Sequence, residues 1–318
     1  MAESAIEISV VIPVYRSAGT LRVLAERLHR ALAGVTPHYE IIFVDDGSGD
    51  DSWAVIGELH RESPRHVTAV QLMRNFGQHN ALMCGFRHAR GRYVITMDDD
   101  LQNPPEEIPK LVEAIRREPL DVVYGQYVTK QHLAWRNAGS SLVNWFYRLV
   151  FRMPVTVTAF RIIDRRLVEQ VLSYDLNFTF VDGLLAWNTQ RIGQTPVEHQ
   201  PRQQGRTGYS MSKLATLAFN LFTNFSLLPL QFVSLLGLGV AVFGLLVGVY
   251  YVLAYVLGKI EVPGYASTIV AILVLGGVQL LALGIIGEYL GRLHLNVNRK
   301  PQYAERHVLV ARDSDTVE

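Results

Sequence analysis

Two hydrophobic patterns divide the chain. In the first, up to about Gly125, short apolar runs rich in β-branched residues alternate with stretches whose apolar residues recur at helical spacing. The runs at 8–14, 40–44, 67–72, 93–97 and 121–124 predict strands. Between them, Leu21, Leu24, Leu28, Ala31 and Leu32 share one helical face, and 52–61, 78–89 and 106–117 predict further helices. Strands alternating with helices predict an α/β domain with a mostly parallel sheet covered on both faces. In such sheets the ligand crevice lies outside the carboxyl ends of the strands.

The second pattern has no periodicity because it is apolar all round. Residues 228–257 and 268–287 carry no charge, and the intervening turn-like stretch holds only Lys259 and Glu261. A bilayer core needs about 20 apolar helical residues, so two transmembrane helices are expected. The first is long enough to tilt. Upstream, Leu214, Leu217, Ala218, Leu221 and Phe225 recur at helical spacing and predict a helix lying on the membrane surface. Arg202, Arg206 and Lys213 precede the pair, and Arg292, Arg299, Lys300 and Arg306 follow it. This flanking charge predicts that both termini and the large N-terminal region lie in the cytoplasm. The acidic opening residues 1–7 do not read as a signal peptide. The expected organisation is a cytosolic domain at 1–210, a juxtamembrane helix at 211–227, a transmembrane hairpin at 228–290 and a cytosolic tail at 291–318. Glu288 reads as an interfacial carboxylate paired with Arg292.

Composition adds exclusions. Across 318 residues, 30 Lys and Arg against 29 Asp and Glu leave a formal charge of +1, without the basic excess of a nucleic-acid binder. A single cysteine, Cys84, excludes an internal disulfide framework and any cysteine-based zinc site; it reads as a packed small residue. Mean hydropathy is +0.16, an average over a charged N-terminal region and a nearly charge-free hairpin.

Polar residues gather where the predicted strands end: at 13–17, 45–52, 74–80 and 98–106. Turn and helix-start chemistry accounts for the glycines and prolines there. It does not account for Asp98, Asp99 and Asp100 in succession after a buried strand, where mutual repulsion is costly without a cation. Strand alternation predicts that Asp98 and Asp100 converge while Asp99 faces away, with Gln102 two residues further on. Such oxygen ligands suit Mg²⁺ or Mn²⁺ bridging carboxylates to substrate phosphates. Asp45 and Asp46 are placed to serve a nucleoside base or ribose.

These segments, in this order, resemble glycosyltransferase family 2, and the likeness covers nearly the whole chain. Residues 11–15, 45–48 and the 98–100 "DXD" element match the family generally. Two C-terminal spans, residues 287–292 and the stretch 299–303 are similar to the narrower bacterial polyprenyl-phosphate glycosyltransferases. Within that group, 77–81 and 100–108 are most similar to enzymes that transfer 4-deoxy-4-formamido-L-arabinose to undecaprenyl phosphate. The resemblance implies a GT-A (Rossmann-like) cytosolic domain, an inverting transfer from a nucleotide sugar, and a polyprenyl-phosphate acceptor in a lipid bilayer. It also implies a homo-tetramer. Pro13, Tyr15 and Asp46 match positions that hold the nucleotide, and Asp98, Asp100 and Gln102 match metal-binding positions. Arg136 and Ser140 match an acceptor-phosphate pair. Arg202, Gly205, Thr207 and Tyr209 match a loop that closes over the phosphates. Ser17 stands where the family often has Glu, and Asp99 replaces the commoner Ala.

The acceptor is already an anion, so the reaction needs positioning and charge screening more than a general base. Arg136, Arg202 and Arg206 suit phosphate oxygens. Asp164 and Asp182 are candidate positioning or base groups, and His79 reads as a polar contact at a helix start. Trp135, Trp145, Phe146 and Tyr147 suit the membrane interface. Two rivals are a processive polysaccharide synthase and an inactive scaffold that recruits a flippase. The first normally carries a Gln-x-x-Arg-Trp motif, which neither Gln131 nor Gln190 begins.

Overall fold

The β-branched runs form parallel strands. A computed structural model describes residues 6–127, 155–175, 179–200, 228–257, 264–298 and 301–311. Strands β1 (Ile8–Val14), β2 (Tyr39–Asp45), β3 (Val67–Leu72) and β4 (Tyr93–Thr96) lie parallel in the order β4-β1-β2-β3. β1 and β2 are buried along their whole length, which is why their sequences run apolar without alternating. Helices α1 (Ala18–Ala33), α2 (Ser52–Glu62), α3 (Gln78–His88) and α4 (Ile108–Arg117) connect or flank them. α1 buries Leu21, Leu24, Leu28 and Leu32, the predicted face. α3 packs tightly on the sheet: a Cβ on Gly85 would stand 2.2 Å from Val11 Cγ1.

Beyond β4 the sheet becomes mixed. β6 (Arg161–Asp164) runs antiparallel between β4 and β5 (Val122–Tyr127), and β7 (Ile192–Val197) pairs parallel with β5. At the other edge, β8 (Glu305–Leu309) pairs antiparallel with β3, completing the eight-stranded order β7-β5-β6-β4-β1-β2-β3-β8. The expectation of a separate tail at 291–318 is corrected accordingly. Val70 faces Val308 and Ala69 faces Leu309, so residues 305–309 within that range complete the sheet. Short helices α5 (Arg165–Leu172) and α6 (Val181–Asn188) follow β6.

The remaining two helices form a second unit, residues 209–300, while 1–208 and 301–318 form the first. α7 (Leu228–Val256) and α8 (Tyr265–Val297) are each long and apolar enough to cross a membrane. Their large side chains face outward: Phe243 is 69% exposed and Tyr255 74%. α8 outruns its charge-free core and carries the Glu288–Arg292 ion pair, 2.5 Å, near its end. That pairing is the one expected of Glu288 and Arg292. The predicted surface helix at 211–227 lies outside the described residues.

Candidate active site

The polar loops meet at the carboxyl ends of β1, β2, β3 and β4, where the parallel sheet leads one to look. β2 ends in two buried aspartates that serve as brackets. The Phe76 and Gly77 amides donate to Asp46 Oδ1 and Oδ2 at 2.7 and 2.9 Å, tying the loop after β2 to the loop after β3. The Ser48 amide donates to Asp45 Oδ1 at 3.1 Å, and Gln71 Nε2 to its Oδ2 at 3.2 Å. Burial raises the Asp46 carboxyl above its usual range, against the opposing pull of the two amides. Gly47 (φ +65°) makes the approach feasible, since a Cβ there would stand 2.5 Å from the Arg74 carbonyl carbon. Pro13 is buried within β1, and Tyr15 stands 45% exposed at the rim.

The three aspartates follow β4 in a loop. β4 stops at Thr96, so strand alternation does not set their directions; the turn does, with Leu101 at φ +63°. Arg16, in the facing loop, is the other non-glycine residue at positive φ among those described, at +56°. Asp98 Oδ1 accepts from Gln78 Nε2 at 2.7 Å, at the start of α3. Asp99 turns toward the first loop, where its Oδ2 accepts from the Tyr15 amide at 3.1 Å. Asp100 Oδ1 accepts from the Gln102 amide at 3.1 Å, and the Gln102 carbonyl accepts from the Gln200 amide at 2.9 Å. Burial, then the Asp100 and Asp99 charges, push the Asp98 carboxyl up to about 7.

Beneath this loop lies a residue the sequence reading missed. Arg161 opposes Thr96 in the β4–β6 register and is 1% exposed. It pairs with Asp182, whose Oδ1 also accepts from the Tyr124 hydroxyl at 3.0 Å. The Arg161 charge favours ionised Asp98 and disfavours protonated His79. The one available hint was an arginine flanked by Phe160, Ile162 and Ile163, because a buried segment admits a charge only when it is paired. Asp182 is thereby placed as Arg161's buried partner, not as a base open to substrate. His79 Nδ1 accepts from the Val181 amide at 3.4 Å and its ring meets Phe180 edge-on, the polar contact expected.

Asp164 is a correction. It faces Tyr93, at the opposite end of β4 from the aspartates, and caps α5 by accepting from the Arg166 amide at 2.9 Å. Burial works against its charge, but the Arg166 side chain and amide outweigh it and hold the carboxyl below its usual range. It is a helix cap remote from the site. Arg136, Ser140, Arg202, Arg206, Thr207 and Tyr209 lie outside the described residues, as do the interfacial aromatics from 135 to 147.

Comparison with known proteins follows the same lines. Residues 9–172 match the family model Glycosyl transferase family 2. The chain is 36% identical over 310 residues to the undecaprenyl-phosphate 4-deoxy-4-formamido-L-arabinose transferase of Shewanella sediminis, covering 95% of this chain and 92% of that one. It is 38% identical over 303 residues to an uncharacterized glycosyltransferase of Synechocystis sp., covering 94% of each. Mycobacterium tuberculosis glucosyl-3-phosphoglycerate synthase, solved with Mn²⁺, UDP-glucose and phosphoglyceric acid, superimposes with TM-score 0.52 at 17% identity, over 68% of this chain and 77% of that one. That likeness carries the GT-A-like fold alone. With its acidic loop at the carboxyl edge of a mostly parallel sheet and relatives matched over almost its full length, the chain belongs to glycosyl transferase family 2.

Proposed function

We propose that this glycosyltransferase moves one glycosyl group, with inversion, from a nucleoside-diphosphate sugar to polyprenyl phosphate at the cytoplasmic face of a bacterial inner membrane. The product would serve envelope glycan modification. The observation that carries the reading is the placement of Asp98, Asp99 and Asp100 in one turn over a buried arginine. Relatives named as undecaprenyl-phosphate transferases support the acceptor. The solved neighbour with Mn²⁺ and UDP supports a divalent ion and a uridine donor.

The donor set fits a hard divalent ion. Burial, together with the Asp100 and Asp99 charges, lifts Asp98 to about 7, and a cation would offset both the desolvation and the repulsion. Asp98 and Asp100 would hold Mg²⁺ or Mn²⁺, with Gln102 beside them. When bound, the ion supplies positive charge toward a leaving diphosphate. The protein's own part is positioning. Asp46 fixes the loops that frame the nucleotide, and Pro13, Tyr15, Asp45 and Asp99 line or brace its binding edge. Arg136 with Ser140 would hold the acceptor phosphate, and Arg202, Arg206, Thr207 and Tyr209 would close over both phosphates. Membrane anchoring by α7 and α8, a homo-tetramer and a flippase partner complete the expectation.

Full-length protein in detergent, given undecaprenyl phosphate and a panel of UDP- and GDP-sugars, tests this directly. Mass spectrometry should find one lipid-linked monosaccharide that requires Mn²⁺ or Mg²⁺. No lipid product with any donor sinks the transferase assignment, and a polymer favours the processive synthase. Asp100→Asn should lower turnover at least ~100-fold with its unfolding midpoint preserved. Near-normal turnover in that variant removes the metal role.

A further inference from the structure

One cluster of metal-ligating side chains stands apart from the acidic loop. Cys84 and His88 lie one helical turn apart on α3, and Glu305 opens the edge strand β8. Glu305 Oε1 lies 3.4 Å from Cys84 Sγ and 2.9 Å from His88 Nε2. One ligand atom from each residue fits within a mutual separation of 4.8 Å. Around a tetrahedral zinc ion, with Zn–S about 2.3 Å and Zn–N or Zn–O about 2.0–2.1 Å, ligand atoms stand about 3.3–3.6 Å apart. The two observed spacings lie at or below that edge length, so the side chains would spread slightly to admit an ion.

The chemistry of the three donors is selective. Thiolate, imidazole and carboxylate together suit a borderline ion such as Zn²⁺, whereas an all-oxygen site suits Mg²⁺ or Mn²⁺. The burial gradient suits it too: Cys84 is fully buried, while the His88 and Glu305 side chains are 21% and 31% exposed. The cluster is thus closed on the thiol side and open to water on the other, which leaves a fourth position for solvent. Arg87 and Tyr303 are other titratable groups that act on the thiol or lie beside it.

We propose that Cys84, His88 and Glu305 form a zinc site that clamps β8 to α3, separate from the nucleotide site at the other end of α3. Ion binding breaks the Cys84 S–H bond and forms a metal–thiolate bond, and the proton passes to the solvent. The exclusion of cysteine-based zinc drawn from a lone cysteine is revised here. That argument counted cysteines alone, whereas the proposed site needs only one, and its third ligand arrives from more than two hundred residues downstream, through the β3–β8 pairing.

Cobalt spectroscopy on the full-length protein, with its thiol reduced, tests the site. Cys84 is the sole cysteine, so a thiolate-to-Co²⁺ absorption band in the near ultraviolet reports on this cluster alone. The expected result is a band that saturates at one equivalent, bleaches on adding Zn²⁺ and vanishes in Cys84→Ala. Cobalt affinity should fall at least ~10-fold in His88→Ala and in Glu305→Gln, since even outer-shell partners of a metal site are worth that much. No band in folded parent protein under excess Co²⁺ overturns the proposal and leaves a hydrogen-bonded cluster. Unchanged affinity in both H88A and E305Q also overturns it, because the thiol would then be acting alone. Unfolding midpoints of the variants without metal distinguish a lost ligand from a lost fold.

Discussion

Arg161 shows how a single buried side chain sets the charge states around it, acting on both Asp98 and His79. Removing one member of a buried ion pair strands the other charge, at a cost of about 3–5 kcal/mol. Arg161→Met should therefore lower stability by about that amount in a denaturant titration, leaving the Asp182 carboxylate buried without its guanidinium partner. Adding Asp182→Leu should recover much of the loss; an R161M protein as stable as the parent would deny the pair its structural role. Burial, then the Arg161 charge, push the His79 imidazole down to about 4 from its ordinary 6.5. The unfolded chain thus takes up a proton between those values that the folded chain refuses. The stability is present above pH 6.5 and is lost as pH falls toward 4. His79→Gln should flatten that part of the stability–pH curve relative to the parent, and an identical slope would disprove the assignment.

Among the elements, what could be read from the sequence follows from burial geometry. β1 and β3 appear with their predicted bounds because strands inside a parallel sheet are apolar without interruption. The aspartates at 98–100 were legible for the opposite reason, being polar where the pattern demanded an end. β6 was not legible: it starts with a buried arginine and ends with the aspartate that caps α5, so no apolar period marks it. β8 was hidden because four of its five residues are exposed and its partner strand lies far back in the chain. Nor could local spacing say that Asp164 falls at the wrong end of β4; only the antiparallel register does. Edge position gives β8 a specific job, since it covers the open hydrogen-bonding side of β3. Excising 301–311 should lower the unfolding midpoint and promote self-association, read by light scattering. A monodisperse variant of parental stability would mean that β8 is dispensable.

For the whole molecule, the two units make different demands on their surroundings. The first has a continuous buried core running from Ile8 through Val197. In the second, α7 and α8 leave nearly all of their apolar surface exposed, so it needs some cover. The full chain should accordingly sediment with membranes after alkaline carbonate washing and require detergent for extraction. Recovery in the soluble fraction would contradict a membrane-spanning role for these helices.

The antiparallel β8 strand carries a consequence for biosynthesis. Ribosomes add about 5–20 residues per second, so translating the chain between Leu72 and Glu305 occupies on the order of tens of seconds. Throughout that interval β3 is an unpaired edge, and both long apolar helices emerge before its partner exists. The nascent sheet must be shielded while the hairpin is being delivered, and translation that stalls after α8 would release a protein with its edge still open.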